Sequence, residues 1–233
     1  MIRKLCLVMA ALALLCFSTA SAFAWNVASD FSTDSNPSGE WAYGGWWSDA
    51  FHTGASVTDH RGNPGLNGWG NDDDPDYYTP YVVQNTTDST MHLFSAFDLA
   101  SKAVYMHPGN QDDEGTIRWT APSAGVYSVA LTFTKLDLVN GAPLDAQVVS
   151  VYQGSTLLGS STLSASDQLW TFSQQLTFTQ GQEIFLRVAA TDDSYNGDST
   201  GIDGSIVLVP EPSSIIALLG GLGSLVALRR RRA

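Results

Sequence analysis

Cysteine is almost missing. The 233 residues hold two, Cys6 and Cys16, both within the first two dozen. No disulfide can staple the remainder, so its stability must come from a packed core. Basic residues are equally scarce away from the ends. Six of the eleven are Arg3, Lys4 and Arg229 to Arg232, which leaves Arg61, Lys102, Arg118, Lys135 and Arg187 for everything between. Residues 25–209 therefore carry five basic against 22 acidic side chains, a formal charge of −17. Such a surface repels nucleic acid and anionic lipid, and excludes both as partners of that region. It suits solubility outside a cell, and it suits divalent cations. Catalytic signatures are missing too. There is no G-x-S-x-G, no H-E-x-x-H and no phosphate-binding loop, and His52, His60, His92 and His107 have no metal-ligand spacing. A non-catalytic protein is expected.

Long helical periodicity is also lacking. What is present is a series of short runs that alternate with period two, broken by Gly, Pro, Asp and Ser. Strands are expected at 81–85, 103–107, 116–120, 126–134, 146–153, 156–163, 169–178, 183–190 and 205–209. In the fourth of these, Tyr127, Val129, Leu131 and Phe133 would face the core, while Val126, Ser128, Ala130 and Thr132 would not. Nine such strands with short turns predict an all-β fold, an antiparallel β-sandwich or jelly roll. Residues 25–80 differ from 81–209, being loop-rich and aromatic-rich with few strand signals.

The two ends read as targeting segments. Arg3 and Lys4 precede an apolar run from Leu5 to Phe17, and Ala22-Phe23-Ala24 is a small-x-small cleavage site. Residues 1–24 are thus expected to be a signal peptide removed by signal peptidase. At the other end, Pro210, Glu211 and Pro212 precede an apolar, Gly-bearing segment, 214–228, and then Arg229, Arg230, Arg231 and Arg232. Fifteen helical residues rise about 22 Å, short of the ~30 Å hydrocarbon core, and snorkelling arginines extend the span. The arginines would stay cytoplasmic while the domain faces outward.

Pro-Glu-Pro, an apolar helix and a terminal Arg run, in that order over residues 210–233, resemble the PEP-CTERM sorting signal. The resemblance implies recognition of Pro210, Glu211 and Pro212 by an exosortase, with Arg229 to Arg232 as the membrane stop. It implies a transient stay in the inner membrane of a Gram-negative bacterium, then delivery to the cell surface or extracellular matrix. An unprocessed tail anchor is the alternative. Arg118-Trp119-Thr120-Ala121-Pro122 followed by Gly125-Val126-Tyr127, and Thr179-Gln180-Gly181-Gln182-Glu183-Ile184 later, are similar to jelly-roll carbohydrate-binding modules and to PEP-CTERM ectodomains. That likeness implies fold more than ligand.

Two constellations could bind something. Counting from Asp192, oxygen-bearing side chains fall at alternate positions (Asp192, Ser194, Asn196, Asp198, Thr200), Asp203 falls at the twelfth, and Gly197 at the sixth. Alternate side chains can point inward around one hard cation, so Asp192, Ser194, Asn196, Asp198 and Asp203 are candidate Ca2+ ligands for a structural site. Strand-like flanks exclude a helix-loop-helix hand, and an acidic turn is the alternative reading. Two more acidic stretches lie at residues 71–76 and 112–115. Trp41, Trp46, Trp47, Trp69 and Tyr78 form the second constellation. Flat indole and phenol faces stack on pyranose rings, so exopolysaccharide is the candidate ligand, with Trp46 and Trp47 central. Adjacent Trp residues in a strand point to opposite faces, so one of that pair can equally be core. Two other functions remain open at this stage: a secreted glycan hydrolase or lyase, and a purely structural matrix protein.

Overall fold

In the β-strand Gly125–Lys135, Tyr127, Val129, Leu131 and Phe133 are all essentially buried, as the alternation requires. The same rule builds the rest of the molecule. The computed structural model describes residues 23–73, 78–94, 96–110, 113–137, 146–191 and 195–210. The expected signal segment up to residue 22, Glu211, Pro212, the apolar span 214–228 and Arg229 to Arg232 lie outside the described residues. Among the described residues no helix is long and apolar enough to cross a membrane.

The strands in chain order are β1 (Ala24–Asn26), β2 (Trp41–Trp47), β3 (Ala50–Thr53), β4 (Ala55–Val57), β5 (Leu66–Gly70), β6 (Tyr81–Asn85), β7 (Met91–Leu93) and β8 (Phe97–Leu99). There follow β9 (Val104–His107), β10 (Glu114–Thr120), β11 (Gly125–Lys135), β12 (Gln147–Gln153), β13 (Thr156–Leu163), β14 (Leu169–Phe178), β15 (Glu183–Ala190) and β16 (Thr200–Val209). One sheet runs β14-β11-β16-β9-β6-β5-β4. The N-terminal β1 shares the edge of β16 with β9, taking Ser205–Val207 while β9 takes Thr200–Ile202. The other sheet runs β13-β12-β15-β10-β2-β3, and β7 and β8 form a separate hairpin. Every pairing is antiparallel, so the fold is an all-β sandwich, as the periodicity predicts.

Between the sheets lies the main core. Trp41, Trp119, Tyr127, Phe133, Phe178, Ile184 and Leu186 fill it, and Trp25 docks edge-on against Trp119 at 5.4 Å. A second, smaller core lies on the outside of the first sheet. There Tyr81, Val83 and Tyr105, on the opposite parity to inward Val82, Val104 and Met106, are covered by Leu66, Leu93, Phe97 and Leu99. The β7–β8 hairpin and the short turn His60–Gly62 thus form a flap over one sheet face.

The nine expected strands are all present, four with the same bounds. Residues 25–80, expected to show few strands, hold β2 to β5 and most of β1 among their loops. β2 contributes seven residues inside the second sheet, hydrogen-bonded to β10 on one side and β3 on the other. Glycine hides it. In Trp41-Ala42-Tyr43-Gly44-Gly45, Trp41 and Tyr43 point inward, but a Cβ on Gly44 would stand 2.1 Å from the His52 carbonyl oxygen. Close backbone approach demands Gly there, and Gly interrupts the pattern of side chains by which a strand is recognised.

Candidate functional site

Four connections gather at one end of the sandwich, because β6, β10, β12 and β16 start there and β5, β9, β11 and β15 finish there. On the outer face of the first sheet, at that end, opens a cleft of about 390 Å3. Its volume falls within the ~300–1,000 Å3 usual for small-molecule sites. Tyr81 and His107 form the floor, Arg61 and Phe94 come from the flap, and Asp137, Tyr195, Asn196, Gly197 and Ser199 form the far wall.

The floor is a stack. The His107 ring stacks on Tyr81 at 5.0 Å, and His60 packs tilted against Tyr81 at 4.3 Å. Tyr105 donates from its hydroxyl to that of Tyr81 at 3.3 Å. Burial raises the pKa of both tyrosines, so both stay neutral donors. Burial also pushes His107 down to about 4, despite the Pro108 carbonyl, 2.7 Å from its Nδ1. His60 falls to about 3, by burial first and by Arg61 and His107 next. Both imidazoles are neutral at pH 7. Neither nitrogen of His60 has a hydrogen-bond partner among the described residues, although the residue is 1% exposed.

The far wall is fixed from behind by a buried polar plug at the end of the core. Lys135, inward on β11, donates to the Gly197 carbonyl at 2.8 Å and to Gln147 Oε1. Gln147 donates in turn to Thr200 Oγ1 and the Ser199 carbonyl. The Asp198 carboxylate stands 3.9 Å from the Lys135 ammonium with both side chains fully buried. Ser199 N–H donates to Asp137 Oδ2 at 2.7 Å, which sets the carboxylate that lines the cleft. The flap is set by backbone. Asp59, Arg61, Tyr78 and Phe94 all hold positive φ, between 49° and 57°, a region that side-chain-bearing residues avoid. The Arg61 guanidinium lies 4.8 Å over the Phe94 ring.

The five candidate sugar-binding aromatics do not form one platform. Trp41 is 2% exposed in the main core, and Trp69, 8% exposed, donates its indole N–H to the Ser32 carbonyl at 2.7 Å. Neither ring can take a ligand, so their assignment as sugar-stacking residues is corrected: both fill the inter-sheet space. Trp46 points outward from the second sheet, with the Arg187 guanidinium 3.4 Å from its ring and Phe185 against its edge. Trp47 stacks flat on His52 at 4.2 Å. Tyr78 is half-buried beside the cleft, 6.4 Å from His60.

Of the five candidate Ca2+ ligands, the three that are described do not converge. Asp192 and Ser194 lie outside the described residues. Asn196 is on the cleft wall, and Asp198 is buried against Lys135. Asp203 sits beyond the start of β16, paired with Thr132, in a different groove with Asn26, Ser29 and Lys102. Extended backbone from Thr200 onward carries it away, because a strand cannot curl around an ion. Among the described residues no three His, Cys, Asp or Glu side chains gather as a metal cage. Arg61, Tyr81, Phe94, His107, Asp137 and Tyr195 escaped the sequence reading, since they come from six separate segments. One signal was available: Arg61 is one of only five basic residues in an acidic domain.

No protein-family model matches this chain. No curated protein matches it. Solved structures do. The CBM51-2 and INT domains of ZmpB from Clostridium perfringens, in complex with GlcNAc, are 13% identical, with a TM-score of 0.37 over 70% of this chain and 29% of that one. This chain therefore spans under a third of that structure's length. CBM51 from Clostridium perfringens GH95, in complex with methyl-galactose, is 10% identical, with a TM-score of 0.35 over 67% of this chain and 90% of that one. A family 35 carbohydrate-binding module from Clostridium thermocellum is 15% identical, with a TM-score of 0.30 over 55% of this chain and 97% of that one. At such distances the likeness carries neither ligand nor activity across.

Proposed function

We propose that this is an exported, non-catalytic glycan-binding protein whose ligand occupies the cleft between Arg61 and Asp137. The observation that carries this reading is the mixed chemistry of the cleft. A guanidinium and a carboxylate face each other over a floor of neutral Tyr81 and His107, with Tyr195, Asn196 and Phe94 at the rim. Sugars need that mixture, since hydroxyls pair with charged and amide groups while ring C–H faces lie on aromatic planes. Asp137 is the one carboxylate among the described lining residues, whereas glycoside hydrolysis uses two.

The chain's destination supports the same reading. Cleavage by signal peptidase after Ala24, recognition of Pro210, Glu211 and Pro212 by an exosortase, and release to the surface or matrix would place the domain among exopolysaccharides. Ca2+ would be structural and confined to the loop ending at Asp198. The test for it is a melting curve, which calcium shifts upward and a chelator reverses; an unchanged curve removes the metal.

The glycan reading is tested by an array screen followed by titration of the best ligand into the wild type and into Arg61→Ala, Tyr195→Ala and Trp46→Ala. Weakening of at least tenfold in the first two, with Trp46→Ala unchanged, supports the cleft. Loss in Trp46→Ala alone moves the site to the second sheet, and no binding to any glycan overturns the reading.

A further inference from the structure

Among the described residues the two large sheets end in four outermost strands, β4, β3, β13 and β14, and the first three make poor templates for another strand. β4 has three residues and β3 has four, too short to template another strand. β13 holds Gly159 and pairs with β12 across a register shift between Val151 and Tyr152. β14 is different. It is ten residues long, Leu-Trp-Thr-Phe-Ser-Gln-Gln-Leu-Thr-Phe, with no charge, proline or glycine. Its pairing with β11 is unbroken over ten residues, and among the described residues no strand covers its other side. Natural edges are blunted by lysine, proline, bulges or shortness, and β14 has none of these.

Charge makes the omission selective. Residues 146–182 contain a single ionisable carboxylate, Asp167, and no basic residue, in a region that otherwise bears 21 acidic side chains. Two copies of so acidic a domain repel wherever their surfaces meet, except along this stretch. The same side also exposes two large apolar residues, Leu157 and Leu169.

The edge has a readable register. The Thr177 carbonyl accepts from the Gln153 side chain at 2.8 Å and so faces away from β11. Backbone groups of alternate residues point the same way, which puts those of Thr171, Ser173 and Gln175 on the open edge. We propose that β14 pairs antiparallel with β14 of a second copy of this chain about a two-fold axis at Ser173. Thr171 then faces Gln175 of the other copy, about six main-chain hydrogen bonds form, and the two sheets join into one. β14 is separated from β9 of the cleft floor by β11 and β16, so pairing leaves both clefts open. The inference stands apart from the glycan reading.

The test uses the full chain with Cys6→Ser and Cys16→Ser, so that an introduced thiol is alone. Residues facing each other across a two-fold bring their Cα atoms about 5.5 Å apart, within disulfide reach. Ser173→Cys is expected to give a covalent homodimer under mild oxidation, at least tenfold faster than Ser160→Cys on β13. Ser173→Lys, which sets like charges opposite each other, is expected to abolish the linkage formed when Thr171→Cys chains are mixed with Gln175→Cys chains, while leaving the melting temperature unchanged. No link at Ser173→Cys, or linking as fast at Ser160→Cys, overturns the proposal.

Discussion

Residues 41–113 and 114–209 use backbone in opposite ways. All seven non-glycine residues with positive φ (Ser48, Asp49, Asp59, Arg61, Tyr78, Phe94 and Lys102) fall in the first region, and among the described residues the second has none. The second region supplies long regular strands, 7 to 11 residues each, and most of the main core. The first supplies short strands, the flap and both neutral imidazoles. One region is built to be stable, and the other holds costly conformations on it. Strain of that kind persists only where the surroundings over-determine it.

The comparison can be broken most forcefully with acid. His60 and His107 both titrate below their ordinary 6.5, so the unfolded chain binds protons that the folded chain refuses. Their contribution is whole above pH 6.5 and is lost as pH falls toward 4. Arg61 and Lys135 oppose charging of His107 and Asp137 favours it. The expected loss by pH 4.5 is on the order of 5 kcal/mol, read by urea unfolding at several pH values. The double variant His60→Phe, His107→Phe should flatten that slope; an equally steep slope would place the acid sensitivity elsewhere. Next comes Trp119→Ala, which empties the centre of the regular region. It should cost about 4 kcal/mol at every pH, so its unfolding curves should shift in parallel. Lys135→Met should cost about 3 kcal/mol, because Asp198 loses the buried ammonium beside it. It also frees the Gly197 carbonyl, so ligand affinity should fall with stability. The smallest effects sharpen the contrast. His60→Phe removes two buried nitrogens that lack partners and should raise stability by about 1 kcal/mol. Arg61→Gly relieves a left-handed residue and should leave stability equal or higher by about 1 kcal/mol, while glycan binding drops. A clear loss of stability in Arg61→Gly would mean that the flap is scaffold.

The same division explains what could be read from the sequence. β6, β13, β14 and β15 are legible to the residue from their runs of strand-forming side chains between turn residues; of these only β14 alternates between a core and a solvent face, and β6 is buried at every position. β2 and β5 are not, since Gly44 and Gly68 sit where a Cβ would strike a neighbouring carbonyl within 2.2 Å. Period two also locates Tyr81 and Tyr105, but it cannot reveal that their outward face carries a second core, because that cover arrives from residues 66 and 91–99. The aromatic constellation misled for a related reason. Trp41 and Trp69 signal bulk, and only the fold decides whether bulk is inside. The cleft itself unites Arg61, Tyr81, Phe94, His107, Asp137 and Tyr195 across 134 sequence positions, and no local pattern spans that distance.

β16 has one further consequence. Its first residue, Thr200, lies beside the polar plug at the cleft, and its last, Val209, lies at the other end of the sheet, where Val207 pairs with Ala24 and Leu208 N–H donates to the Phe23 carbonyl. Ten extended residues at about 3.3 Å each separate the two, roughly 33 Å. Both ends of the described chain therefore leave from one pole and the cleft opens at the other. Any surface that holds either end, whether a bilayer or a cell-wall polymer, would carry this domain like a lamp on a post, with its cleft turned toward the surroundings.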